Sequence, residues 1–375
     1  MRIAFYAPLK PPTHITPSGD RRVAGLLLDA LERVADKVEL VSTFRSYDAD
    51  GEPGRQEALR RQGAALAARL AAQWRALPAP ERPDLWFTYH VYYKAPDWLG
   101  PAISEALGIP YVIAEASHAE KRAGGAWGIG HEAAADAISR ARLVIAPSRD
   151  DVAGLEKLIP RERLVHLPPF VDPKPYAAAA RARGRHRARL ARERNLDPAV
   201  PWIAVAAMMR PGDKLASYRA LAGALSRLTD LPWRLVVAGD GAARPDVEAA
   251  LESAAPGRTS FLGTLGTRDI AGMYAACDLY AWPAVNEAYG MALLEAQATG
   301  LPVVSRPTRG VPDVVVDGHT GVLVKDEDAL AGAIRALLRD ADRRSALGHA
   351  AAAFVAAERS LESAASRLKS LLSAL

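Results

Sequence analysis

The sequence predicts an α/β protein made of two doubly wound, Rossmann-like domains that face each other across a cleft. Three observations lead there. A length of 375 residues exceeds one ordinary core and suits two of roughly 150–200 residues each. Short apolar runs alternate with longer Ala/Leu/Arg stretches along the chain, which is the rhythm of right-handed βαβ units in a parallel sheet. A proline-rich and then arginine-rich interruption divides that alternation into two series.

In the first series, strands are expected at Ile3–Ala7, Val38–Ser42, Leu85–Tyr89, Tyr111–Ala114 and Leu143–Ala146. Helices should begin near Gly19, Arg55, Pro96, Gly128 and Arg149. Leu167–Pro175 carries four prolines, which remove donors and fix φ, so neither helix nor central strand is expected there. The Arg/Ala stretch Ala177–Arg194, ended by Asp197-Pro198, reads as a solvated linker helix in preference to an anionic-lipid contact. The second series places strands at Ile203–Ala207, Arg234–Ala238, Thr259–Phe261, Leu279–Trp282, Pro302–Ser305 and Gly321–Val324. The domains are therefore expected at 1–172 and 200–357, joined by a linker at 173–199. A terminal helix over about 358–375 is placed to pack back on the first domain.

Half the residues are apolar and 24% are charged, which excludes disorder as the dominant state. The lone cysteine, Cys277, forms no internal disulfide and suits a reducing compartment. No apolar run approaches the roughly 20 residues that span a bilayer, and Met1–Ala7 reads as a strand, not as a signal peptide. A cytoplasmic protein is expected, peripheral at most to the inner face of the membrane. The net charge of +5 is compatible with anionic substrates, anionic lipid surfaces or nucleic acid and selects none of them; no nucleic-acid partner is assigned. Asp48-Ala49-Asp50, Asp326-Glu327-Asp328 and Asp340-Ala341-Asp342 fit an Asp-x-Asp metal pattern. One lies in a glycine-bearing loop and the others at helix ends, where acids are common, so no metal and no cofactor are expected. No Ser-His-Asp order, zinc spacing or Walker loop is visible.

Ligands of open α/β sheets sit at the carboxyl ends of the strands, so the loops after strands matter most. Pro283–Gly290 follows one strand and opens a helix, Met291–Thr299, which Gly300 ends and Pro302 follows. A helix entered at Gly290 presents unpaired N–H groups and about half a positive charge, which suits a diphosphate. Met291, Leu294 and Ala298 form an apolar stripe with Glu295 beside it, where a carboxylate can accept from two adjacent hydroxyls of a ribose. Glu287, in the loop, is placed to hold sugar hydroxyls. On spacing alone two glutamates eight apart read as solvated helix charges; the Gly290 entrance and the flanking strands favour the site.

The run from Asn286 to Val304 resembles the E-x7-E signature of the retaining glycosyltransferase family 4, which has the GT-B fold. Gly310-Val311-Pro312-Asp313 stands where the family usually has Gly-x-x-Glu, and Asp317-Gly318-His319-Thr320-Gly321 matches its Asp-Gly-x-x-Gly turn. The resemblance implies a hexose moved from a UDP- or GDP-linked sugar to a hydroxyl acceptor, with no metal. Glu287, with the amides near Tyr289, Gly290 and Met291, would hold the donor sugar and phosphates, and Glu295 the ribose. Arg210 and Lys214 match the family's diphosphate-gripping Arg and Lys, although Leu215 stands where relatives have glycine. Gly239, in Ala238-Gly239-Asp240-Gly241, corresponds to the family's Gly-x-Gly. With Arg244 at the third glycine position the same run does not make a nicotinamide fingerprint. Leu265 would border the base.

In the first domain the resemblance rests mainly on architecture. Pro17-Ser18-Gly19-Asp20-Arg21 opens the first helix as the family's glycine-containing loop does, with Gly19 at the sugar or phosphate and Asp20 toward the acceptor. His118 lies just past a strand end, where relatives often carry a histidine that contacts the transferred sugar. Thr88–Lys94 is unusually aromatic, and Tyr92 suits an acceptor sugar ring as well as it suits core packing. Bacterial relatives point to a glycan or lipid-linked acceptor of the envelope. Two alternatives remain: a nucleotide-sugar epimerase of the same fold, and a non-catalytic nucleotide-sugar-binding protein.

Overall fold

A computed structural model describes residues 1–16 and 18–375; Pro17, in the expected glycine loop, lies outside the described residues. The chain divides into two compact units, Met1–Pro168 with Leu361–Leu375, and Pro169–Ser360.

Unit 1 runs β1 (Arg2–Tyr6), α1 (Gly19–Glu32), β2 (Lys37–Ser42), α2 (Pro53–Ala76), β3 (Leu85–Val91), α3 (Gly100–Leu107), β4 (Tyr111–Ala116), α4 (Gly128–Arg140), β5 (Leu143–Ala146), α5 (Arg149–Leu155) and β6 (Leu164–His166). Its sheet is parallel throughout, in the order β2-β1-β3-β4-β5-β6. Strands β4 and β5 are buried at every residue, as expected of a parallel sheet covered on both faces. Two sequence expectations need correction. Helix α3 begins at Gly100 and not near Pro96, because Asp97 turns back to cap it, accepting from the N–H groups of Leu99 and Gly100 at 2.8 Å each. The same buried carboxylate takes the hydroxyls of Thr88 at 2.5 Å and Tyr111 at 2.8 Å. The strand β6 was not anticipated, since three edge residues carry too short a pattern to register.

Unit 2 runs α6 (Lys174–Arg181), α7 (Arg183–Arg194), β7 (Trp202–Ala206), α8 (Asp213–Ser226), β8 (Arg234–Ala238), α9 (Arg244–Ala254), β9 (Thr259–Gly263), α10 (Thr267–Ala276), β10 (Leu279–Trp282), α11 (Met291–Ala298), β11 (Val303–Ser305), α12 (Val311–Val314), β12 (Gly321–Leu323), α13 (Glu327–Arg339) and α14 (Ala341–Glu358). Its six parallel strands lie in the order β12-β11-β10-β7-β8-β9. The final helix, α15 (Leu361–Leu372), packs against α1 and belongs to unit 1.

Residues 173–199 are not a solvated linker. Pro175 sits in the first turn of α6, where its missing N–H costs nothing, so the proline-rich run passes directly into helix. Helices α6 and α7 both pack on α10, burying Tyr176 and Leu190. Arg183 donates to the carbonyl of Ala275 at 2.7 Å and to Asp278 Oδ1 at 2.7 Å. Arg187 donates to the carbonyl of Ala276 at 2.7 Å and to Asp278 Oδ2 at 2.9 Å, and its guanidinium stacks 4.3 Å above the Trp202 ring. Two arginines thus satisfy the exposed carbonyls at the negative end of α10. Among the described residues, no helix is long and apolar enough to cross a membrane.

Candidate functional site

In unit 2 the first strand, β7, lies between β8 and β10, so the chain winds away from it in both directions. A crevice for ligands opens at such a switch point, outside the carboxyl ends of β7 and β10. The two loops that border it, with the helices they open, carry most of the predicted donor residues: 207–212, leading into α8, and 283–290, leading into α11.

The 283–290 loop is locked to the start of α8. Asn286 Nδ2 donates to Asp213 Oδ2 at 2.9 Å, and the Val285 N–H donates to Ser217 Oγ at 3.0 Å. From the other side the Thr308 hydroxyl donates to the carbonyl of Ala284, and the Gly310 N–H to that of Glu287 at 3.3 Å. Ala284 and Asn286 take left-handed φ values of 56° and 52°, each costing about 1–3 kcal/mol, which this network holds in place.

Lys214 and Glu287, expected to act on different parts of the donor, are paired. Lys214 Nζ lies 2.5 Å from Glu287 Oε2, and Trp282 Nε1 donates to the same oxygen at 3.3 Å. Lys214 keeps two further N–H donors, and Glu287 Oε1 has no partner among the described residues. Arg210 is exposed, and its guanidinium makes no hydrogen bond or ion pair among the described residues. Leu215, where relatives have glycine, is already within α8, so no special φ is needed there.

Gly290 enters α11 at φ 71°, and a Cβ there would sit 2.9 Å from Leu293 Cδ1 and 3.0 Å from Val314 Cγ2. The first-turn amides that follow it have no intrahelical acceptors. The expected narrow apolar stripe is a correction: Leu293 to Ala298 are all buried, so α11 runs through the interior and not along a surface. Glu295 is consequently only 6% exposed, unlike a solvated helix charge. Tyr289 and Met291 are half-buried at the helix entrance. Gly239 has a packing reason instead of a demonstrated ligand contact: a Cβ would come within 1.9 Å of the Ala207 carbonyl oxygen. Leu265 lines a cavity of about 130 Å³ with His186, Leu190 and Met273 of α7 and α10.

Unit 1 has its own switch point, between β1 and β3. The Ser18 hydroxyl caps α1 by accepting from the Arg21 N–H at 3.2 Å. A Cβ on Gly19 would meet nothing within 4 Å, so no internal packing demands glycine there. Asp20, in the first turn of α1, meets a residue the sequence reading did not single out: His90 Nδ1 lies 3.2 Å from Asp20 Oδ1 and 3.3 Å from Glu115 Oε1. Burial works against a charged imidazole, but Glu115 and Asp20 outweigh it and raise the His90 pKa. Burial likewise works to raise the Asp20 carboxyl, and the close contact with His90 outweighs it, leaving that pKa below the ordinary value. The Tyr92 ring lies 4.9 Å from that of His90, one step in a chain of rings that continues through Tyr93 to Trp127. His118 sits on the loop after β4, half-buried, its ring 4.8 Å from His131. Burial, then the neighbouring His131, lowers its pKa, which favours neutral imidazole. Gly154 is needed for that loop's position, since a Cβ there would approach the His118 carbonyl to 2.6 Å.

Residues 202–340 match the family model for glycosyl transferases group 1. The chain is 32% identical over 232 residues to D-inositol 3-phosphate glycosyltransferase of Nocardia farcinica, covering 58% of this chain and 50% of that protein. It is 29% identical over 280 residues to the Rhodococcus erythropolis protein of the same name, covering 69% and 62%. The chain thus spans about half the length of the first of these relatives. Over whole chains it superposes on a Rickettsia africae glycosyltransferase with TM-score 0.74, at 15% identity and 98% and 97% coverage. Anabaena HepE, solved in complex with UDP, gives TM-score 0.74 at 19% identity and full coverage of both chains. The fold is therefore that of the two-domain GT-B glycosyltransferases, and the group 1 match over residues 202–340, with the inositol-phosphate glycosyltransferase relatives, makes the second unit similar to those of the family-4 type.

Proposed function

We propose that this chain is a glycosyltransferase that moves a hexose from a UDP- or GDP-linked donor to a hydroxyl acceptor, keeping the anomeric configuration. The observation that carries this is the interlocked crevice at the β7/β10 switch point. There the Lys214–Glu287 pair, the free guanidinium of Arg210 and the start of α11 come together where the 283–290 loop is bonded to the start of α8, with a buried glutamate one turn inside α11. The donor's diphosphate sits against the first-turn amides of α11, between Arg210 and the spare donors of Lys214. As the bond from the anomeric carbon to phosphate oxygen breaks, its electron pair leaves with the diphosphate. The acceptor oxygen bonds the anomeric carbon, and the hydroxyl proton passes to the departing diphosphate. The cations and helix dipole meet the charge that develops, so the mechanism calls for no metal. Glu287 Oε1 accepts from a sugar hydroxyl and Glu295 from the ribose.

Two structural neighbours support this reading, one for the donor and one for the acceptor. Anabaena HepE is solved with UDP-glucose, and WaaG, which superposes with TM-score 0.66, is described as involved in lipopolysaccharide biosynthesis. An envelope glycan or lipid-linked acceptor, met at the membrane's inner face, is consistent with that company. Thermal-shift screening against UDP, GDP, UDP-glucose and GDP-mannose, followed by turnover with glycan and polyol acceptors, tests the reading. Stabilisation by one nucleoside diphosphate and acceptor-dependent release of it are expected. Conversion of the donor alone into its epimer, or tight donor binding with no turnover, would overturn it.

A further inference from the structure

We propose that His90 is a positioning residue for the acceptor: its imidazolium, held between Asp20 and Glu115, fixes the Asp20 carboxylate at the β1/β3 switch point of unit 1 to receive an acceptor hydroxyl. This rests on the glycosyltransferase reading. The two loops that flank a switch point of this strand order, those after β1 and β3, are where its ligand crevice opens, and Asp20 and His90 join them by a 3.2 Å contact. The register of β3 and β4 pairs Tyr89 with Ala114 and Val91 with Ala116. The residues between those pairs, His90 and Glu115, both adopt left-handed φ, 66° and 63°. Two non-glycine residues on neighbouring strands thus turn at the same level, and the outcome is the 3.3 Å contact between their side chains. Asp20 remains about one-third exposed while His90 and Glu115 are nearly buried, so only the aspartate is offered to a ligand. Tyr92, its ring tilted against that of His90 at 4.9 Å between centroids, places an aromatic side chain beside it.

The charged and titratable groups around His90 are Asp20 of α1, Glu115 of β4, Asp151 of α5, and Tyr89 and Tyr92 of its own segment; Lys10 acts on Asp20 from the β1–α1 loop. Carboxylates dominate, so His90 holds its proton to higher pH than a free imidazole. Once it is lost, Asp20 and Glu115 repel, and the acceptor should bind less well.

The test uses the full chain, with the nucleotide sugar that is turned over and the acceptor chosen from myo-inositol, D-myo-inositol 3-phosphate and methyl α-D-mannopyranoside. His90→Gln should raise the acceptor KM on the order of tenfold, the loss of one charge-assisted bond, and leave the affinity for the nucleoside diphosphate unchanged. The wild-type acceptor KM should climb with pH as His90 deprotonates, whereas in His90→Gln it should stay flat. Asp20→Asn should show the same KM rise, and the double variant no further rise. In histidine side-chain NMR spectra of the intact protein, Asp20→Asn should lower the His90 titration midpoint. Normal turnover with unchanged acceptor KM in His90→Gln, or a parallel loss of nucleotide binding, would overturn the positioning role alone. Absence of turnover with every donor would overturn the glycosyltransferase reading and this role with it.

Discussion

Replacing Lys214 by Met tests the donor site most directly, because the proposed function gives that lysine two tasks. It neutralises Glu287 at 2.5 Å, with side-chain exposures of 28% and 19%, and in the proposed reaction it supplies donors to the diphosphate. Removing it leaves Glu287 with one long hydrogen bond, from Trp282 at 3.3 Å. A partly buried carboxylate that loses a charged partner costs about 1.5–3 kcal/mol, which should appear as a lower melting temperature. For the reaction, losing one donor to a developing oxyanion lowers kcat on the order of 10²- to 10³-fold. The bare Glu287 charge also repels the diphosphate, so calorimetric affinity for the nucleoside diphosphate should fall further than loss of a cation alone requires. Lys214→Met/Glu287→Gln removes that repulsion and should restore part of the nucleotide affinity and melting temperature while kcat stays low. Residues in contact show coupling of about 0.5–3 kcal/mol in such a cycle. Strictly additive effects, or wild-type kcat in Lys214→Met, would refute the arrangement of pair and phosphate.

The remaining predictions separate structural from ligand roles. Gly239→Ala should destabilise unit 2 severely, because its Cβ would meet the Ala207 carbonyl at 1.9 Å, whereas Gly19→Ala, with open space around it, should leave the melting temperature nearly unchanged. Equal melting curves for the two variants would contradict this. Gly290→Ala must hold φ 71° with a side chain, costing about 1–2 kcal/mol, so it should lower the melting temperature by a few degrees and weaken nucleotide binding. His90 and His118 should titrate on opposite sides of about 6.5, His90 above it and His118 below it. Linkage then gives opposite signs: stability from His90 is complete below about 6.5 and fades as pH rises through its folded pKa. Stability from neutral His118 is present above about 6.5 and fades as pH falls through its folded pKa. Melting temperatures of His90→Gln and His118→Gln across pH 5–9 check both signs, and matching pH profiles for the two variants would contradict them.

The local frame of the candidate donor side was legible in sequence because its signals are local. Gly290, Gly300 and Pro302 mark a helix by chemistry that acts over a few residues, and Glu287 and Glu295 take their places from that frame. What remained hidden depends on long-range contacts. Lys214 and Glu287 are 73 residues apart, and nothing in either neighbourhood announces their pairing. His90 and Asp20 meet only because β3 lies beside β1 in the sheet, an order that alternation of strands and helices does not specify. The 173–199 segment was misread for a related reason. Its arginines look solvated in sequence, but Asp278 and the last carbonyls of α10 are 89 to 95 residues away and become their partners only after folding.

Backbone strain supplies an independent argument for where function lies. Among the described residues six non-glycine positions take left-handed φ: His90, Glu115, Asn195, Ala284, Asn286 and Arg309. Asn195 ends α7, an ordinary use of such a residue at a helix C-terminus. The other five are not helix ends. His90 and Glu115 turn at the carboxyl ends of β3 and its neighbour β4, and Ala284 and Asn286 follow β10; β3 and β10 each border a switch point. Arg309 follows β11, on the loop whose Thr308 and Gly310 hold Ala284 and Glu287. Strain of about 1–3 kcal/mol per residue persists only where surrounding contacts over-determine it, and such residues cluster at ligand sites. Random placement would scatter them over turns throughout both units. Their concentration on the loops carrying Asp20's partner and Glu287 gives unit 1 the same mark of a working site that the sequence motif gives unit 2.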